Sequence, residues 1–201
     1  MKKLVIYGDS ISTINHGKGG YEGMLKQALA LAEISNFSIG SSGLTRVTPK
    51  CMLEVLEQQQ IPEDADLFLI WHGSNDWYWG SSMEEFSAAI RIAVDRLRAA
   101  APGALLAWVT PIYRLEQPAG IAKVGEAYDL PNKVGCTMLD YYEELEHSAI
   151  KLGFPLIDMR RLCGIHRDNA QMYLEDKVHP NHDGYVRIGA VLEREIRRIL
   201  L

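Results

Sequence analysis

The sequence predicts an α/β protein, a three-layer α/β/α sandwich around a central parallel sheet of about five strands. Two observations carry this. Short apolar runs alternate with longer segments of helical period along the whole chain. Most of the runs also lack the polar alternation of a half-exposed strand, as expected where helices cover both faces of a parallel sheet. The runs fall at residues 4–7, 37–39, 67–71, 105–109 and 155–157, each too short to be a helix.

The intervening segments read as helices. The first covers residues 21–34, and the second, 49–59, gathers Met52, Val55 and Leu56 on one face. The third opens at Ser82 with Glu85 three residues on, a capping-box pattern. It then turns Phe86, Ile90, Ala93, Val94 and Leu97 inward while Arg91, Asp95 and Arg98 face water. A fourth helix spans 134–152, and the last, 185–200, carries Ile188, Leu192, Ile196 and Ile199 as one stripe. Repeats, low-complexity tracts and linkers are absent, so residues 1–201 are expected to form a single domain. Residues 111–133 are the least regular stretch, with Pro111, Pro118, Gly120, Gly125 and Pro131. Following the fourth strand, this segment is expected to lie over the carboxyl edge of the sheet, where ligands bind.

Composition narrows the class. Of 201 residues, 47% are hydrophobic and 23% charged, which excludes a disordered chain, a collagen-like repeat and a disulfide scaffold. A net charge of −5 argues against nucleic acid as a partner. Cys51, Cys136 and Cys163 are widely spaced without a CxxC, and read as reduced thiols. No apolar run reaches the ~18 residues of a membrane span. The N-terminal apolar stretch is too short for a signal peptide, so a cytoplasmic location is expected.

The strand ends hold the chemistry. The first strand runs into Gly8-Asp9-Ser10, the second into Gly40-Ser41-Ser42-Gly43, and the third into His72-Gly73-Ser74-Asn75-Asp76. In a parallel sheet these loops share one edge. Asp176-Lys177-Val178-His179-Pro180 precedes the last helix. A serine nucleophile needs a base for its proton, an imidazole supplies one near neutrality, and a carboxylate fixes the imidazole tautomer. Ser10, His179 and Asp176 provide the three types. An oxyanion needs donors already in place. Ser10 and Gly40 offer backbone N–H groups and Asn75 a side-chain amide, Gly40 being preferred to Gly43.

These four blocks, in this order, resemble the SGNH/GDSL hydrolases, a family of esterases, lipases and acyltransferases. One departure is Ser38, where the second block often has Asn. The resemblance implies flavodoxin-like strand order and hydrolysis of a small-molecule carboxylic ester through an acyl-enzyme on Ser10, with no metal or organic cofactor. It leaves room for a carbohydrate O-deacetylase or an acyltransferase using the same triad. A non-catalytic ligand-binding module on the same scaffold is the alternative from another class.

Other features have plainer readings. Asp9 reads as a turn former and Asp76 as a cap. His179, His182, Asp176 and Asp183 could be taken for a metal cluster, but Pro180-Asn181 and Asp183 make a better helix start. His16, His147 and His166 have no evident partner in sequence. Trp77 and Trp79, after the Asn75 loop, and Tyr113, after Pro111, are candidate substrate-binding rings. No G-x-S-x-G elbow, dinucleotide fingerprint or P-loop is present.

Overall fold

The computed structural model describes residues 2–13 and 20–200. His16 therefore lies outside the described residues. β1 (Lys3–Gly8), β2 (Glu33–Asn36), β3 (Leu67–Trp71), β4 (Leu105–Val109) and β7 (Leu156–Ile157) form one sheet in the order β2-β1-β3-β4-β7, every neighbouring pair parallel. This is the flavodoxin-like order, and its switch point falls between β1 and β3.

The strands alternate between two cores, which explains why polar alternation is missing. Val5, Tyr7, Phe68, Ile70 and Trp108 pack on one face with α2 (Met52–Gln58), α4 (Met83–Ala100) and α5 (Met138–Leu152). Leu4, Ile6, Leu69, Trp71 and Val109 pack on the other with α1 (Glu22–Ala28), α6 (Met159–Leu162) and α8 (His182–Leu200). The three-layer sandwich is present.

Helix boundaries follow their caps. Ser82 and Glu85 make the expected capping box at α4, and the expected inward residues are all buried. The segment expected as one helix over 21–34 is instead α1 followed by β2. β2 is an edge strand of polar residues, so the apolar signal sits just beyond it at Phe37 and Ile39. Those two amides nevertheless donate to Ile6 and Gly8 carbonyls at 2.8 and 3.0 Å, prolonging the pairing with β1. α5 begins at Met138 rather than near 134, because Thr137 and Asp140 form a second capping box. Val134 and Cys136 belong to a turn, with both amides donating to Asn132 Oδ1.

Several elements, α6 among them, were not expected. Ser74–Trp79 is a helix (α3), and Ala170–Tyr173 is a short helix (α7). Within 111–133, β5 (Leu115–Glu116) pairs antiparallel with β6 (Gly125–Glu126), so this segment is partly ordered as a hairpin. No helix among the described residues is long and apolar enough to cross a membrane.

Candidate active site

β1 ends against the sheet edge, and its chain turns immediately into a 3-10 turn over Ser10–Ser12. Asp9 caps this turn, accepting from Ile11 N–H at 3.0 Å. Gly8 has no room for a side chain, since a Cβ there would lie 2.5 Å from Ser12 Oγ. Tyr185 of α8 donates to the Ile11 carbonyl at 3.1 Å, and Asn36 donates to that of Ser12 at 2.8 Å. The Ser10 backbone is thus braced by two distant elements.

The loop before α8 delivers the other partners. Asp176 Oδ1 accepts from the His179 and Val178 amides at 2.8 and 3.1 Å, folding the loop into a tight turn with Lys177 at φ 71°. That leaves Asp176 Oδ2 2.7 Å from His179 Nδ1, and His179 Nε2 lies 2.9 Å from Ser10 Oγ. Burial pushes the Asp176 carboxyl upward, but hydrogen bonds from the His179 backbone and ring and from Val178 outweigh it, holding the group below its usual range. A carboxylate that accepts from several N–H donors stays ionised.

Ser10, His179 and Asp176 open on a cavity of about 470 Å³, whose walls include Asp9, Ser41, Asn75, Tyr78, Trp79, Arg114 and Glu116. The Asn75 amide is oriented from both ends. Its Nδ2 donates to the Ser42 carbonyl at 2.8 Å and lies 3.4 Å from Asp9 Oδ2, while its Oδ1 accepts from Arg114 Nη1 at 3.2 Å. Asp76 is wholly buried and braces the second loop, taking the amides of Leu44 and Thr45 at 2.8 and 2.9 Å.

Several expectations change. Gly40 does not line the cavity; its neighbour Ser41 does, in the left-handed conformation at φ 62° that usually selects glycine. Gly43 is engaged elsewhere, its N–H donating to Lys50 O and Thr48 Oγ1. Trp77 is fully buried in the core, with its indole N–H on the Leu130 carbonyl at 3.1 Å, so it does not face the cavity. Tyr113 is also buried, packed edge-on against Tyr128 with ring centroids 6.4 Å apart. Of the three candidate rings only Trp79 reaches the cavity, joined by Tyr78. Ser41, Ser74 and Glu116 are among the wall residues that the sequence reading passed over, and Tyr78 and Arg114, sequence neighbours of the candidate rings, line the wall as well. The signal for Arg114 was a cation set directly after a buried strand and Pro111-Ile112-Tyr113. Among the described residues no three His, Cys, Asp or Glu side chains come together as a metal site.

Two buried titrating groups border the site and act in opposite directions. Burial drives the His72 pKa down to about 3 from 6.5, with a contact to the Ser42 backbone working against it. Its Nδ1 has no partner among the described residues. Burial drives Asp9 up to about 6 from 3.8, opposed first by the Ile11 N–H and then by the Arg114 and His179 charges. For His72 the unfolded chain takes the proton first, so stability present above pH 6.5 is lost toward pH 3, by roughly 1.4 kcal/mol per pH unit. For Asp9 the folded chain takes the proton first, so acidification from about 6 to 3.8 adds stability. His72→Gln removes one titration and keeps an amide donor. The thermal midpoint of the variant, relative to the parent, is expected to climb between pH 7 and pH 4. A difference that stays constant over that range would refute the buried neutral imidazole.

Comparison with known proteins places the chain in a family. The model of the GDSL-like lipase/acylhydrolase family matches residues 6–187. A search of curated proteins finds no match to the chain. Among solved structures, a protein from Lactobacillus plantarum is similar with a TM-score of 0.83 at 21% identity, covering 98% of this chain and 97% of that one. A lipase/acylhydrolase from Enterococcus faecalis gives 0.73 at 17%, with 98% and 96% covered. A salicylyl-acyltransferase from a tetracycline biosynthetic pathway gives 0.74 at 20%, covering 98% of this chain and 55% of that one. These likenesses establish the shared fold. With a match running from the first strand into the last helix, the chain belongs to the GDSL-like lipase/acylhydrolase family.

Proposed function

We propose that the protein is a serine esterase that hydrolyses small carboxylic esters through an acyl-enzyme on Ser10. The observation that carries this reading is the continuous contact from Asp176 through His179 to Ser10 at the mouth of a cavity. Ser10 Oγ attacks the ester carbonyl carbon and its proton passes to His179 Nε2. Asp176 stabilises the imidazolium. The carbonyl oxygen, now negative, is received by the Ser10 N–H, the Asn75 side-chain amide and, in this reading, the N–H of Ser41, the residue beside Gly40 that lines the cavity. Collapse breaks the bond to the alkoxy oxygen, which leaves with the proton from Nε2. Water then attacks the acyl carbon, giving a proton to Nε2, and the acid departs as that proton returns to Ser10 Oγ.

Labelling with a fluorophosphonate tests the reading at its root. Covalent modification mapped to Ser10 is expected, and a chain that stays unlabelled is a binding module. Asn75→Ala is expected to lower kcat roughly 10²- to 10³-fold with a smaller change in KM. A loss confined to KM would make Asn75 a ground-state binding group instead.

A second reading has its own observation. The wall facing the triad carries the Arg114–Glu116 pair beside Tyr78 and Trp79, which suits a hydroxylated group such as an acetylated sugar better than a long alkyl chain. A series of aryl esters of rising chain length beside acetylated saccharides separates them. The sugar reading requires the saccharides to outpace butyryl and longer esters in kcat/KM.

A further inference from the structure

Arg114 belongs to neither the nucleophile turn nor the acid–base loop, yet it joins the two halves of the site. It is buried, and its Nη1 donates to Ser74 Oγ at 2.9 Å, to the Ser74 carbonyl at 3.2 Å and to Asn75 Oδ1 at 3.2 Å. Its Nε and Nη2 both donate to Glu116 Oε2, the former at 2.7 Å. The next residue, Leu115, donates its N–H to the Lys177 carbonyl at 3.1 Å, on the turn between Asp176 and His179. Ala127 N–H closes the hairpin onto the Arg114 carbonyl at 2.9 Å. Arg114 and Leu115, adjacent at the start of the hairpin, therefore touch both the Asn75 amide and the loop that carries the imidazole.

The guanidinium also has an electronic consequence. A side-chain amide whose oxygen accepts from a cation is polarised, and its N–H becomes a stronger donor. The guanidinium charge is shielded from water, whereas its counterion Glu116 is about one-third exposed and correspondingly screened. The guanidinium stacks over the rings of Trp77 and Tyr78, with its carbon 5.6 and 5.0 Å from their centroids, and this fixes its plane.

Resting on the esterase reading, we propose that Arg114 is the positioning residue of the oxyanion site. It aims and polarises the Asn75 amide through Oδ1, and so acts on the transition state rather than on substrate binding. The test uses Arg114→Met, Arg114→Lys and the neutral pair Arg114→Met/Glu116→Gln, which leaves no unpaired carboxylate. Each is measured for kcat and KM on an aryl acetate and for the rate of fluorophosphonate labelling at Ser10. All three are expected to lose roughly 10- to 100-fold in kcat and in labelling rate with KM within about threefold, the lysine variant least. In an Asn75→Ala background, Arg114→Met is expected to cost less than about threefold more, because the group it positions is gone. Full-rate labelling of the Arg114 variants overturns the proposal, as does a loss in KM alone or a loss that multiplies in full with Asn75→Ala. A parent protein whose Ser10 stays unlabelled overturns the esterase reading and this inference with it, and is thereby distinguished from the other outcomes.

Discussion

Ser10→Ala is expected to lower kcat for a small aryl acetate by roughly 10⁴- to 10⁶-fold, leaving only what the cavity and the oxyanion donors supply without a nucleophile. The fold has little reason to respond. The Ser10 hydroxyl meets His179 Nε2, and the His179 side chain is about one-fifth exposed, so water can replace the lost contact. The backbone of the turn keeps its own support from the Thr13 hydroxyl to the Ser10 carbonyl at 2.9 Å, from Tyr185 and from Asn36. The thermal midpoint should therefore move by no more than a few degrees. The variant should also lose all fluorophosphonate labelling. Retention of more than a hundredth of the parent kcat in a folded variant would place the nucleophile elsewhere.

The parts of the fold that could be read in advance are those where one physical demand dominates. β1, β3 and β4 are buried on both faces, so an apolar run marks each of them. β2 escaped because this edge strand is only half-buried and carries Glu33, Ser35 and Asn36, and hydrophobicity marks only the strands that bury it. α3 escaped because Asn75-Asp76-Trp77-Tyr78-Trp79 has no helical period to detect. Missing that helix led directly to the error over its aromatic rings. At 100° per residue, Trp77 and Trp79 project about 200° apart, and one had to face the core if the other faced the cavity. In the same way, Tyr113 and Arg114 are neighbours in an extended segment and turn to opposite sides.

The site divides along a similar line. Ser10, Asp176, His179 and Asn75 were legible because the chemistry restricts residue type and the sheet edge restricts position. Ser41, Tyr78, Arg114 and Glu116 were not, since they reach the cavity through the path of a loop, a short helix and a hairpin. Ser41 was hidden by the expectation that a glycine would offer the unobstructed backbone N–H. Serine holds the left-handed position here at a cost of about 1–2 kcal/mol, a strain consistent with a functional loop. The glycine beside it pointed to the loop from which Ser41 reaches the cavity.

Asp176→Asn carries the second large effect, and the direction follows from which carboxylate oxygen is already occupied. Oδ1 takes the His179 and Val178 amides, both of which are donors and require an oxygen opposite them. An asparagine keeps those bonds by placing its carbonyl oxygen there, which turns its NH₂ toward His179 Nδ1. Nδ1 must then act as the acceptor, so the ring proton moves to Nε2. With a proton already on Nε2, the imidazole can no longer accept one from Ser10 Oγ, although every heavy atom stays in place. A fall of about 10³- to 10⁴-fold in kcat is expected at neutral pH, with KM little changed. Flipping the amide would restore the tautomer only by setting an NH₂ against two backbone N–H groups, losing two hydrogen bonds at roughly 1 kcal/mol each. Asp176→Ala separates the two effects, because water can then accept from Nδ1 and restore the productive tautomer. The alanine variant is accordingly expected to be the faster of the two at neutral pH, despite removing more of the side chain. Equal activity in the asparagine variant and the parent would mean that the carboxylate neither sets the tautomer nor stabilises the imidazolium.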